Sequence, residues 1–212
     1  MMQRLSFESD YPFEIDIPDG RIDYHRDFMI QDEAKRLLQI LRTELLWRED
    51  DIKMFGKTYK IPRLQAWYGD PKAHYKYSGI DLPLNPWDET LYSIKTKIEN
   101  LTGDSYNSVL ANWYRDGQDS NGWHADDEKE LGKNPIIASV SLGSERVFQM
   151  KHRTEKSLRK NILLEHGSLL IMRDQTQHFW LHQIAKSKKV TGDRINLTFR
   201  KVILKSEKNF TF

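Results

Sequence analysis

From about residue 105 onward the chain is a succession of short β-branched and aromatic runs cut by turn residues. Few folds accept that pattern. The runs are 108–114, 136–142, 146–151, 162–164, 168–172, 179–184 and 195–204, punctuated by Gly143, Gly167 and Gly192. Spacing of this kind predicts an antiparallel barrel or jelly roll. Ahead of it, 32–46 reads as a helix whose apolar face is Ala34, Leu37, Leu38, Leu41 and Leu45. A second helix is expected over 86–101, with Asn85 as N-cap, Pro86 in the first turn and Gly103 as the stop. Its apolar face is Trp87, Leu91, Ile94, Ile98 and Leu101. Residues 1–30 lack clear periodicity, contain Pro12 and Pro18, and read as an irregular arm. The expected fold is mainly β: two helices packed on the outside of a double-stranded β-helix.

Composition narrows the chemistry. The chain has no cysteine, which excludes a disulfide framework, a thiolate site or an iron–sulfur cluster. No apolar stretch approaches the ~20 residues of a membrane span. Residues 1–10 lack an apolar signal core. A soluble intracellular protein is expected, in cytoplasm or nucleus, with no membrane partner. A reducing interior also suits a site that keeps iron as Fe(II). Net charge is only +2 but unevenly placed. From 186 to 205 there are seven basic residues against Asp193, and from 151 to 160 five against Glu155. Such strips suit a polyanion or a solvated face.

His124 and Asp126 stand two apart, and His182 follows 56 residues after Asp126. On a strand, residues i and i+2 share a face, so both side chains can reach one ion, with His182 arriving from a neighbouring strand. Two imidazoles and one carboxylate hold one face of octahedral Fe(II) and leave positions for a bidentate acid and O2. His178 and His182 at i, i+4 are the competing zinc pair, but no glutamate lies between them and 179–181 reads as strand. His25, His74, His152 and His166 read as surface or satisfied core histidines. Arg194, Asn196, Thr198 and Arg200 share one strand face by their period of two, against Ile195, Leu197 and Phe199 on the other. A buried arginine pair needs an anionic partner, either internal carboxylates or a dicarboxylate ligand.

These residues resemble the AlkB family of iron(II)/2-oxoglutarate dioxygenases. The family pattern appears as Asn112-Trp-Tyr114, His124-Ala-Asp126, His182 and Arg194-Ile-Asn-Leu-Thr-Phe-Arg200. Phe55-Gly-Lys, Pro62-Arg, Tyr68-Gly-Asp70, Tyr75-Lys-Tyr77 and Asn196-Leu-Thr-Phe-Arg-Lys201 are similar to the branch that contains the double-strand-preferring DNA demethylase. Two departures stand out. Tyr77 replaces that branch's Phe, and Ser187 precedes Lys188-Lys189 where the branch has a basic triplet.

The resemblance implies Fe(II) on His124, Asp126 and His182, with 2-oxoglutarate and O2 as cosubstrates. It implies Arg194 at the distal carboxylate of 2-oxoglutarate, helped by Tyr114 and Asn112. Arg200 is implied by the proximal carboxylate or Asp126, with Asn196 and Thr198 completing the cosubstrate strand. Tyr77 and His124 would bracket an extruded base, with Tyr75 lining the pocket or bonding a phosphate. Asp127 and Glu128 would meet the damaged base, Lys188 and Lys189 the backbone, and Phe55 the duplex gap. The implied organisation is a single domain over 1–212: an arm (1–30), helices and a nucleotide-recognition lid (31–104), and the catalytic β-helix (105–205). The implied activity is oxidative removal of methyl groups from 1-methyladenine and 3-methylcytosine, in double- as well as single-stranded DNA, by a monomer. The alternatives are an RNA or protein demethylase of the same family, or an inactive nucleic-acid-binding jelly roll.

Overall fold

The structure, a computed structural model, describes residues 12–54, 56–73 and 83–203. In chain order these form strands β1 (Phe13–Ile15) and β2 (Arg21–His25), helix α1 (Gln31–Glu44), and strands β3 (Asp51–Met54), β4 (Lys57–Lys60), β5 (Leu64–Gly69) and β6 (Leu84–Asn85). Helix α2 (Glu89–Thr102) follows, then β7 (Ser108–Tyr114), β8 (Asn121–His124), β9 (Ile137–Gly143), β10 (Arg146–His152) and β11 (Arg159–Leu164). The last elements are β12 (Ser168–Arg173), a helical turn at Thr176–Phe179, β13 (Trp180–Ile184) and β14 (Arg194–Arg200).

The strands form an eight-stranded sheet in the order β1-β2-β12-β9-β14-β7-β5-β6, a four-stranded sheet β11-β10-β13-β8, and the hairpin β3-β4. The expected jelly roll is present. The central strands of the large sheet are buried on both faces. One face, with Val109, Ala111, Val140, Leu142, Ile195, Leu197 and Phe199, packs against α1 and α2. The other, with Leu110, Tyr114, Ile137, Leu170 and Met172, meets Phe148, Met150, Ile162, Leu164 and Ile184 of the small sheet. Leu41 and Leu91 are fully buried on the two helices. Truncating either to Ala would cost about 2–5 kcal/mol.

Three expectations need correction. The segment read as an irregular arm contributes two strands, with β2 pairing β12 from Leu169↔His25 to Arg173↔Arg21. The second helix starts later than expected, because its cap is Asp88, whose carboxylate accepts from Thr90 N and Leu91 N. Asn85 and Pro86 lie before it, and Leu101 is 46% exposed rather than part of the buried face. Phe179 closes the helical turn instead of opening a strand, so β13 begins at Trp180. Gly103 ends α2 as expected, in the left-handed region at φ 73°.

Candidate metal centre and cosubstrate pocket

Two strands supply the metal ligands. β8 is the edge of the four-stranded sheet and pairs with β13 so that His124 lies opposite His182. Asp126 follows just beyond the end of β8, and its N–H is held by the buried Oε1 of Gln177 at 2.9 Å. One ligand atom from each of His124, Asp126 and His182 falls within 4.8 Å of the others, the only such group of three among the described residues. His178 is exposed on the helical turn and is not part of it, which removes the zinc alternative.

The ligands are held in the forms a cation requires. His124 Nδ1 lies 2.8 Å from Gly122 O. With the proton on Nδ1, Nε2 keeps its lone pair for the metal. Burial, reinforced by His124, pushes the His182 imidazole down to about 3, so it is neutral at ordinary pH. Burial also lowers His124, against the opposing pull of Asp126. For Asp126, burial alone would raise the carboxyl, but Arg200, His182 and His124 together hold it below its ordinary value. Arg200 donates to Asp126 Oδ1 from Nε at 3.1 Å and again from Nη2. Of the two positions expected for Arg200, the structure shows the Asp126 contact.

The pocket beside the ligands is built by β7 and β14, whose register sets Tyr114 opposite Arg194 and Asn112 opposite Asn196. Arg194, Asn196, Thr198 and Arg200 all face it, with Asn112 and Tyr114 on the adjacent strand. Arg194 is 1% exposed. Its Nη2 donates to Ser141 Oγ at 2.9 Å, and its guanidinium sits 5.2 Å from the Tyr114 ring centroid. Its Nε and Nη1 are buried and find no partner among the described residues. Burial lowers its pKa to about 10. A dry guanidinium with two unanswered nitrogens is costly on its own and fits a carboxylate.

The remaining expected residues divide. Asn196 Nδ2 is bonded to Ser139 Oγ and Val140 O, and Thr198 Oγ1 to Asn196 Oδ1, so both brace the strand as well as line the pocket. Asn112 Oδ1 accepts from Arg63 Nε at 2.7 Å and Gln65 Nε2 at 3.1 Å, leaving its NH2 as the group it can present. Asp127 is exposed and paired with Arg153 Nη2 at 2.6 Å. Glu128 is half-buried, with Oε2 unpartnered and its carboxyl raised by burial. Lys188 and Lys189 are exposed on the loop after β13. That loop is pinned where Ser187 N donates to Gly117 O and Gly117 N to Val190 O. Phe55, Tyr75 and Tyr77 lie outside the described residues.

Sequence reasoning missed three supports. Gln177 holds Asp126. Arg63 and Gln65 hold Asn112, and only Arg63 sat in a recognisable motif. Arg146, 3% exposed, donates to the carbonyls of Asp116, Asp119 and Ala185 and lies 5.5 Å from the Tyr114 ring centroid, a second cation near that ring beside Arg194.

Comparisons with known proteins agree with this geometry. A family model described as the 2OG-Fe(II) oxygenase superfamily matches residues 22–200. The chain is 39% identical over 192 residues to the alpha-ketoglutarate-dependent dioxygenase alkB homolog 3 of Homo sapiens, covering 86% of this chain and 66% of that protein. It is 42% identical over 160 residues to the DNA oxidative demethylase ALKBH2 of Homo sapiens, covering 72% and 61%. This chain spans less than two thirds of the length of either relative. Among solved structures, one titled "The structure of OsALKBH1" superposes with a TM-score of 0.63 over 89% of this chain and 99% of that one. At 15% identity that likeness concerns the fold alone.

Proposed function

This chain belongs to the 2OG-Fe(II) oxygenase superfamily, among its AlkB-type members, and we propose on that footing that it removes alkyl groups oxidatively from N-alkylated bases of DNA. 1-Methyladenine and 3-methylcytosine are the proposed lesions. The observation that carries the reading is Arg194: a buried guanidinium with two unpartnered nitrogens, in one pocket with His124, Asp126 and His182. The names of the relatives, a DNA oxidative demethylase among them, support the substrate class.

Bound Fe(II), with 2-oxoglutarate and O2, supplies the oxidising equivalent that hydroxylates an N-methyl carbon, whose product breaks down to formaldehyde and the restored base. His124, Asp126 and His182 would hold the iron. Arg194 and Tyr114 bind and orient the dicarboxylate, while Phe148, Leu164, Met172 and Ile184 keep the pocket wall apolar. The methylated edge is unreachable inside a duplex, so the nucleotide must leave the stack. Asp127 and Glu128 are proposed as acidic contacts for a cationic methylated base. Tyr75 and Tyr77 are proposed to line the base pocket, and Phe55 to fill the gap in a duplex. The chain is proposed to act as an intracellular monomer, since it supplies every site residue itself. Among the described residues no helix is long and apolar enough to cross a membrane.

Formaldehyde and succinate release from methylated single- and double-stranded DNA, and from methylated RNA, tests the proposal. Stoichiometric release from methylated DNA is expected. Release from RNA or a methylated protein alone would reassign the substrate, and metal binding without release would leave a binding module. Phe55→Ala should impair turnover on the duplex more than on the single strand, and equal losses would remove Phe55 from the duplex gap.

A further inference from the structure

The outer face of the four-stranded sheet carries side chains that catalysis leaves unused. Alternation along β8 turns His124 inward to the metal ligands and Trp123 outward. Trp123 is 36% exposed, although its neighbour in sequence belongs to a buried centre. Lys151 of β10 places its ammonium 4.3 Å from the Trp123 ring centroid. β13 runs between them, and its Gln183 donates to Gln149 Oε1 of β10 at 2.6 Å. Arg159, exposed, stands opposite Lys151 in the β10–β11 ladder. Two residues after Lys151 comes Arg153, whose guanidinium bonds Asp127 beside the metal ligand Asp126. The face thus runs from an open indole, across amides, to cations of which Arg153 bonds the residue next to the metal ligand Asp126.

We infer that Trp123 is a stacking site for an unpaired nucleobase flanking the lesion, which makes the outer sheet face a selector for single-stranded DNA. The inference rests on the function proposed above. An indole face accepts any base, because every base has a π-face, and cations beside it meet the phosphates of the same strand. The contact with Lys151 does not block the site. An exposed cation–π contact is weaker than base stacking, and the long lysine side chain can leave the ring for a phosphate. A duplex keeps its bases in their own stack and offers none to the indole without further unpairing. The contact therefore reads strand state, not sequence.

Fluorescence anisotropy with unmodified oligothymidylate and with a duplex of equal length tests this without any turnover. Trp123→Ala is expected to weaken single-strand binding about tenfold and duplex binding far less, while Trp123→Phe keeps most of the affinity. Trp123→Leu, which retains apolar area without a π-face, replaces the alanine variant if that one melts early, and should lose single-strand affinity too. Unchanged single-strand affinity in the Ala or Leu variant, or equal losses on both substrates, overturns the stacking site. Much tighter binding of oligouridylate than of oligothymidylate overturns the assignment to DNA. A strand-selective loss in a chain that releases no formaldehyde would support the stacking site while sinking the enzymatic proposal.

Discussion

Arg200 directs both of its bonds to Asp126 at a single oxygen, Oδ1, which leaves Oδ2, 3.6 Å from His182 Nε2, turned toward the imidazoles. One oxygen of the carboxylate is held by a guanidinium and the other is aimed at the metal position. The arrangement keeps the ligand anionic in a buried site and fixes its direction.

Asp126→Ala is therefore expected to abolish turnover and metal binding together. It also removes the carboxylate that accepts two hydrogen bonds from buried Arg200, so the fold should lose stability. Anaerobic metal titration and thermal unfolding measure the two effects separately. Tight iron binding with normal turnover would remove Asp126 from the ligand set.

Arg194→Ala should act on the cosubstrate and leave the metal ligands intact. A charge-assisted contact contributes about 1.5–3 kcal/mol, so the 2-oxoglutarate requirement should rise roughly tenfold or more. Because the side chain is buried and has two unpartnered nitrogens, the free protein need not lose stability in proportion. An unchanged dependence of rate on 2-oxoglutarate would exclude Arg194 from the cosubstrate site.

For Lys188 and Lys189 the test is salt. If each contacts a phosphate, the double alanine variant should lower the slope of log affinity against log salt by about two in all, one per contact. Gly117 offers an independent handle on the same loop. A Cβ there would fall 2.0 Å from Ser187 O and 2.5 Å from Val190 O, so Gly117→Ala must displace the loop backbone. Identical slopes in wild type and the double variant would return both lysines to the solvated surface.

Acid should weaken the fold through His166. Its Nδ1 accepts from Gly143 N–H at 2.9 Å, and burial lowers its pKa from the ordinary 6.5. The unfolded chain then takes up the proton first. The contribution is fully present above pH 6.5 and is lost as pH falls from there through the lowered folded value. Chemical denaturation between pH 7.5 and 5 should show stability falling with acid, and a shallower fall in His166→Gln. Equal pH slopes in the two proteins would contradict this role.

Much of this architecture is legible in the sequence where burial leaves a periodic trace. β7 was readable to the residue, and the face of β14 that carries Arg194, Asn196, Thr198 and Arg200 follows from the period of two. β2 was not readable, because Asp23 sits in its middle, buried by ion pairs with Arg21 and with Arg173 from another strand. Arg173, 150 residues away, lies outside any local window. The start of α2 was misplaced because Asn85 has a better use: it pairs in β6, and its Nδ2 donates to Trp67 O at 3.0 Å, while Asp88 is left to cap. The metal set was readable from spacing and chemistry, but Gln177, Arg63 and Arg146 act through contacts across the fold, which spacing does not encode.

β8 has one ladder neighbour, four residues and a register irregularity opposite His182 and Ile184. The strand that brings the first metal ligand is thus a weakly held edge of the four-stranded sheet. A cation shared by His124 and His182 would clasp that edge to β13, joining two strands whose backbone zipper is short. Backbone amides at 121–124 should then exchange rapidly with solvent in the metal-free chain and slow sharply on loading, while β7 and β14 change little. Iron in this architecture would be a fastener as well as a reagent, and a cell short of it would hold a barrel with one seam open.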